Sequence, residues 1–350
     1  MLDCRWLGPG GAGRVTELVL TDLRLLRPPW DTVLWGRPER LVPFADVGAV
    51  VPTSSDPKSL FGQAAARSVP RGDVTVFFHQ IRPLGSVPAV TMMYDTIPLR
   101  YGSNRAAGVA KRLYFRIAAR RSARILTASE YSRRCLIRDA RARADRIDVV
   151  SLPVDGERFD RITRSRATRE LDEVALFVGR FAPHKNLRRL AVAFSQTAFA
   201  ERGGRLELVG GSSDERADLD RWLAGQGAQR VRTFEPCTEK ELDDRLTSSR
   251  LLVMPSLEEG FGLPAFEAAA VGMPVVSSRA GAMADLPDRI VAFCDPLSVA
   301  SIAVAIDDAA SRAPRLAPHR VVGDLGVAVV RAVDEVLRQP SSDPVGPDRL

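Results

Sequence analysis

Four cysteines, Cys4, Cys135, Cys237 and Cys294, are scattered along 350 residues, and no two of them form a C-x-x-C pair. That argues against a disulfide framework or a zinc module and for reduced thiols in the cytoplasm. No apolar run approaches the roughly 18–20 residues that a membrane span needs. The opening "MLDCRWLGPGG" has neither a basic n-region nor an apolar h-region, so no secretory signal is read there. There is no G-x4-G-K-[ST], which excludes a P-loop, and no repeat of 20–50 residues, which excludes a solenoid or propeller.

What is present describes an ordinary globular protein: 45% hydrophobic and 27% charged residues, long enough for two domains. Short β-branched runs alternate with helical stretches, the pattern of an α/β protein with parallel sheets. In the first half, "DTVLWG", "VGAVV", "VTVFF", "AVTMMY", "ARILTAS" and "RIDVVS" read as strands; 13–26, 105–121 and 130–142 read as helices. The charged stretch 161–173 lacks periodicity and reads as a linker. The alternation then restarts with "EVALFVG", "RLELVG", "RVRTF", "RLLVMPS", "MPVVSS" and "IVAFC". Residues 1–160 and 174–338 are thus expected to be two doubly wound units facing a cleft, with 339–350 a disordered tail.

The net charge of +7 is uneven. Fourteen Lys or Arg lie between Arg100 and Arg146, against Glu130, Asp139 and Asp145. Within 105–121, Ala106, Val109, Ala110, Leu113 and Ile117 fall on one face, read as a buried stripe. That leaves Lys111, Arg112, Arg116 and Arg120 to meet an anionic membrane or a lipid-diphosphate acceptor. A nucleic-acid partner is the alternative, but the segment has few aromatics to stack bases and no recognised module.

Three stretches carry chemistry. In "LEEGFGLPAFEAAAVGMPVV", a loop at a strand's carboxyl end leads into a helix with Pro264 in its first turn and Gly272 at its end. Amides near Gly260, Phe261, Gly262 and Leu263 would cradle a diphosphate. Glu259 would stand in the cleft mouth, and Glu267, one turn into the helix, could hold a ribose diol. "LFVGRFAPHKN" puts Arg180 at a strand end and Lys185 at a helix entry, a pair able to clamp a diphosphate. "GPGGAG" satisfies G-x-G-x-x-G, so a nicotinamide oxidoreductase must be weighed. Asp31, however, begins the next strand instead of ending it, against that fingerprint.

Taken with "SARILTASEYSRRCL" and "LPVDGERF", these stretches resemble the retaining glycosyltransferases of the GT-B fold, family 4 group, over most of the chain. The resemblance implies transfer of a sugar from a GDP- or UDP-linked donor, with no metal and no other cofactor. The acceptor would be a glycan or a lipid-linked acceptor, for a cytoplasmic enzyme peripheral to the membrane. It places Gly10, Gly11, Gly13, Arg180 and Lys185 on the donor phosphates, Glu259 near the transferred sugar and Glu267 on the ribose. His79 in "FFHQIRP" and Asp95 in "YDTIP" match cleft positions, with Glu259, as catalytic candidates. Tyr94 stands where relatives often carry histidine. The clipped segment before the glycines suggests a start placed downstream of the native one.

Overall fold

The structure, a computed structural model, describes residues 1–8, 10–56, 72–83, 88–101, 105–151, 156–286, 288–312 and 324–338. The first half runs β1 (Leu2–Asp3), α1 (Gly11–Leu26), β2 (Val33–Gly36), α2 (Pro38–Leu41), β3 (Ala49–Pro52), β4 (Thr75–Phe77) and β5 (Ala89–Met92). It continues with α3 (Arg105–Arg120), β6 (Arg124–Thr127), α4 (Glu130–Ala140) and β7 (Ile147–Val149). The second half opens with α5 (Gly156–Thr168), β8 (Asp172–Gly179), α6 (Leu187–Phe194), α7 (Ala198–Glu201), β9 (Arg205–Gly210), α8 (Ser213–Gly225) and β10 (Val231–Phe234). It closes with α9 (Glu239–Ser248), β11 (Ser249–Met254), α10 (Leu263–Ala270), β12 (Val275–Ser278), β13 (Val291–Cys294), α11 (Val299–Ser311) and α12 (Leu325–Arg338).

The strands form two all-parallel sheets, ordered β3-β2-β1-β4-β5-β6-β7 and β10-β9-β8-β11-β12-β13. Strands this short and apolar suit parallel sheets covered on both faces, because helical crossovers shield them from water. Leu2, Leu34, Val76, Val90 and Leu126 build one core, and Leu176, Leu208, Val253 and Val276 the other. In each sheet the order reverses around the unit's first strand: β1 lies between β2 and β4, and β8 between β9 and β11. Ligands of open parallel sheets bind outside the carboxyl ends of strands at such reversals. The glycine-rich turn after β1, the Arg180–Lys185 loop after β8 and the Glu259 loop after β11 all start there.

The structure corrects three expectations. Residues 161–173 are not a linker: α5 runs to Thr168 and β8 starts at Asp172. Helical periodicity was hidden because the buried face of α5 uses Arg158 and Arg166 beside Phe159 and Ile162. Burial pushes the Arg166 guanidinium down to about 10, and its Nη1 donates to the carbonyls of Leu246 and Ser249.

The last helix does not stay with the second unit. Leu325, Ala328, Val329, Ala332, Val333 and Val336 of α12 join the first core, where α1 offers Val15, Val19, Leu20 and Leu23. Trp30 Nε1 donates to Asp334 at 3.1 Å, and the Gly326 amide to Asp22 at 3.1 Å, fixing that return.

The apolar stripe on α3 faces outward. Val109 is 70% and Leu113 57% exposed, while Phe115, Ala118 and Ala119 are buried. Small and aromatic residues on the opposite side dock this helix more closely than the predicted stripe would. Ala110 is exposed and Ile117 half-buried; the side chain of Ala106 and the tail 339–350 lie outside the described residues.

Candidate functional site

Room for backbone decides the geometry after β11. A β-carbon at Gly260 would fall 2.7 Å from Cβ of Asp95. At Gly262, where φ is +81°, it would strike the sulfur of Met283. Gly262 is the N-cap of α10, Pro264 sits in the first turn, and the turn after the helix uses Gly272 at φ +71°. Pro264 has no N–H and the Ala265 amide bonds back to the Gly262 carbonyl at 2.9 Å, so the Leu263 amide is the one in the first turn with no partner inside the helix. Phe261 stacks on Phe266 with centroids 4.5 Å apart and packs with Leu263 against the first unit's core.

Glu259 is 4% exposed and doubly held. Lys185 Nζ donates to its Oε1 at 2.6 Å and Ser256 Oγ donates to the same oxygen at 2.7 Å. Lys185 is placed by the short turn 183–185 and by Asn186, which takes the left-handed conformation at φ 63°. The Asn186 amide donates to the carbonyls of Pro255 and Pro296 at 3.0 and 2.7 Å, tying this turn to the Glu259 loop. Arg180 is apart from them: its side chain is 83% exposed and lies 3.9 Å from Glu215. The structure brings one of the two expected clamp cations to Glu259 and leaves the other at the cleft surface. His184, beside Lys185, faces Tyr101 with ring centroids 5.3 Å apart. Burial and the neighbouring ammonium push its imidazole down to about 4, so it is neutral at physiological pH.

Across the cleft, Gly10 (φ +107°) caps α1, and a β-carbon at Gly10 or Gly11 would meet nothing within 4 Å. Gly13 differs, since a side chain there would land on the carbonyl of Gly8. Arg14, one residue on, reaches Glu267 Oε1 at 2.7 Å. Arg158 stands 3.8 Å from that oxygen. Burial pushes the Glu267 carboxyl up to about 8 against the pull of Arg158, with Glu239 and Asp243 adding to the rise.

His79 stacks on Trp6 at 3.9 Å and lies 6.1 Å from Tyr94. Its Nδ1 accepts from the Ile81 amide at 3.0 Å, so the neutral ring carries its proton on Nε2. The Tyr94 hydroxyl donates to the Phe78 carbonyl at 2.9 Å. It serves the backbone in the position where histidine was expected. Asp95 accepts from the Ile97 amide at 2.9 Å.

Several residues escaped the sequence reading. Arg100 donates through Nε to Glu258 at 2.9 Å, Tyr131 donates to the same carboxylate at 2.7 Å, and Arg100 also pairs with Asp139. Ser129, the N-cap of α4, and Ser132 donate to the Gly260 carbonyl at 2.6 and 3.0 Å. The stretch "TASEYS" had looked like a helix start only; its hydroxyls also hold the facing loop. Arg14 was hidden inside a glycine motif.

Comparison with known proteins agrees with this geometry. Residues 172–311 match the family model of glycosyl transferases group 1. The matched stretch runs from β8 to α11, most of the second unit. The chain is 31% identical over 169 residues to the MMP alpha-(1->4)-mannosyltransferase of Mycolicibacterium hassiacum, covering 48% of this chain and 40% of that protein. It is 36% identical over 154 residues to the D-inositol 3-phosphate glycosyltransferase of Corynebacterium glutamicum, covering 40% and 37%. It is 28% identical over 233 residues to O-antigen chain mannosyltransferase B of Escherichia coli, covering 62% and 60%. The chain thus spans between 37% and 60% of the length of these relatives. Anabaena Alr3699/HepE in complex with UDP and glucose superimposes with a TM-score of 0.66 at 18% identity, over 96% of this chain and 98% of that one. WaaG, a glycosyltransferase of lipopolysaccharide biosynthesis, gives 0.61 at 13%, over 97% and 96%. The two facing parallel-sheet units are the GT-B fold.

Asp95 gives this site a measurable pH signature. Burial pushes its carboxyl up to about 6, against the Ile97 amide, with Glu259 adding to the rise. The native state therefore keeps a proton that the unfolded chain has lost. The stability this confers is complete below the ordinary carboxylate range and is lost as pH rises through about 6. Asp95→Asn keeps the acceptor for Ile97 and cannot ionise. In urea unfolding, the variant should gain on the wild type between pH 4.5 and 7.5, by about 2 kcal/mol at about 1.4 kcal/mol per unit. A difference independent of pH would refute this account of Asp95.

Proposed function

We propose that the chain is a glycosyltransferase that moves a sugar from a nucleoside-diphosphate donor to a hydroxyl of a glycan or lipid-linked acceptor. The observation that carries this reading is the Lys185–Glu259 pair, 2.6 Å apart at strand ends within the stretch that matches glycosyl transferases group 1, opposite the open turn at Gly10 and Gly11. The names of the mannosyltransferase relatives favour a GDP-mannose donor, and the UDP-bound Anabaena protein supports a UDP-sugar as the second choice.

On this reading the bond from the anomeric carbon to the β-phosphate oxygen breaks, and a bond to the acceptor oxygen forms on the same face. The acceptor's proton passes to the departing phosphate oxygen, so configuration is retained. Lys185 and the Leu263 amide at the start of α10 stabilise the charge that develops on the leaving group, the role that other enzymes give a metal. Arg180 would join them by folding in over the diphosphate. Glu259 would face the transferred sugar and Glu267 its ribose, while His79 and Asp95 line the acceptor side.

The test is turnover against a panel of GDP- and UDP-sugars, measured with and without EDTA. One donor should be consumed with product of retained configuration, and chelation should leave the rate unchanged. Lys185→Ala should lose about 2–4 kcal/mol of transition-state stabilisation, or roughly 30- to 1,000-fold in kcat/KM. Turnover within threefold of wild type in a folded Lys185→Ala protein removes the lysine from the mechanism.

A second proposal concerns where the enzyme works. Val109 and Leu113 stand exposed on the same outward face of α3 as Arg112 and Arg120, with the half-buried Arg116 among them; Lys111 is exposed about half a turn around the helix. Apolar side chains set among cations are what a helix lying in a membrane interface presents. Each cation adds about 1 kcal/mol near an anionic surface, and salt screens that part alone. In sedimentation with anionic liposomes, the Lys111/Arg112/Arg116/Arg120→Gln variant should lose binding at low salt. The Val109/Leu113→Gln variant should lose the part that survives high salt. Partitioning equal to wild type in both would leave α3 an ordinary exposed helix.

A further inference from the structure

The pairing of Arg14 with Glu267 is one of several contacts that cross between the two units. Arg14 is rooted in the first turn of α1, where its amide donates to the Gly10 carbonyl at 3.0 Å. Its guanidinium lies across the cleft, 2.7 Å from Glu267 Oε1 and 3.4 Å from Glu239 Oε1, and only 15% exposed. Glu267 has a second guanidinium at the same oxygen, Arg158 at 3.8 Å. The two are not equivalent. Arg158 belongs to α5, whose Phe159 and Ile162 are part of the second unit's core, so it stays with Glu267 whatever the cleft does. Arg14 belongs to the first unit and reaches Glu267 from across the cleft.

We propose that Arg14 is a positioning residue that changes partner with the donor: it latches to Glu267 in the empty protein and passes to the nucleotide's diphosphate when the ribose takes its place. This rests on the transferase reading above. A diol donating to Glu267 needs the oxygen that Arg14 now covers, so ribose and guanidinium compete for it. The displaced guanidinium remains tethered beside Gly10 and Gly11, where the backbone borders open space. Phosphate oxygens are its natural next partner, because a guanidinium binds them through parallel N–H donors. Glu267 keeps Arg158 at 3.8 Å, a cation it shares with Asp243, when Arg14 turns to the diphosphate.

The handover separates two affinities that an ordinary binding residue would move together. Titrations of wild type, Arg14→Gln and Arg14→Lys would use guanosine and uridine, then GDP and UDP. Arg14→Gln should weaken the favoured nucleoside diphosphate at least tenfold. Its affinity for the matching nucleoside should be unchanged or higher, since the competitor for Glu267 is gone. Arg14→Lys should recover part of the diphosphate affinity, and its folding provides the control if the glutamine variant is unstable. Equal loss of nucleoside and diphosphate affinity in Arg14→Gln, or loss of neither, overturns the handover while leaving the transferase reading in place. A wild type that binds neither GDP nor UDP overturns both.

Discussion

The loop after β11 runs where there is no room for side chains, and the site's arrangement follows from that confinement. Three glycines make the passage: Gly260 against Asp95, Gly262 against Met283, and Gly281, at φ +72°, against the backbone of Glu259. The Gly260 carbonyl is held from the other unit by the hydroxyls of Ser129 and Ser132. Because the backbone is fixed at these points, the two adjacent carboxylates just before Gly260 are aimed in different directions. Glu258 meets Arg100 and Tyr131 of the first unit, while Glu259 meets Lys185 and Ser256 of its own. A β-carbon at Gly260 would force the units apart and disturb both sets of contacts together.

Parallel topology explains why these loops meet at all. Each sheet reverses its winding direction beside its first strand, so the connections after β1 and β8 diverge from their neighbours and leave a crevice. Adding a second unit in the opposite orientation turns two crevices into one cleft. The return of α12 to the first core is a further tie between the halves.

Much of this was legible because its signals are local. Alternating strands and helices revealed the architecture, and the loop from Glu259 to Glu267 could be placed at a strand end from eight residues of spacing. Contacts between residues far apart in sequence could not be read. Arg100 and Glu258 are separated by 158 positions, and neither lies in a pattern that names the other. Periodicity failed on α3 for a different reason: a stripe of Val109, Ala110, Leu113 and Ile117 has the same spacing whether it faces a core or an interface. On α5 it failed because Arg158 and Arg166 are buried, and buried arginines count as polar in any hydropathy pattern. Gly13 was read as a phosphate contact, and spacing along the chain could not show that a β-carbon there would meet the backbone of Gly8.

The charges of the empty cleft balance within it, and that balance shapes how an anionic ligand could enter. Glu259 has a cation in Lys185 and a neutral donor in Ser256; Glu267 has a cross-cleft cation in Arg14 and a resident one in Arg158. Each carboxylate thus has one partner that can remain while another is drawn to a phosphate. Were Lys185 and Arg14 unpaired, the empty cleft would hold two poorly hydrated cations, and any passing anion would relieve them. Paired as they are, they favour a ligand that offers replacements to both glutamates. On the proposed reading, a sugar hydroxyl for Glu259 and a ribose diol for Glu267, joined by a diphosphate, would satisfy every group at once. Free phosphate takes the cations and compensates neither carboxylate. On the proposed reading, selectivity for the whole donor comes from this coupling between the two pairs more than from the strength of either.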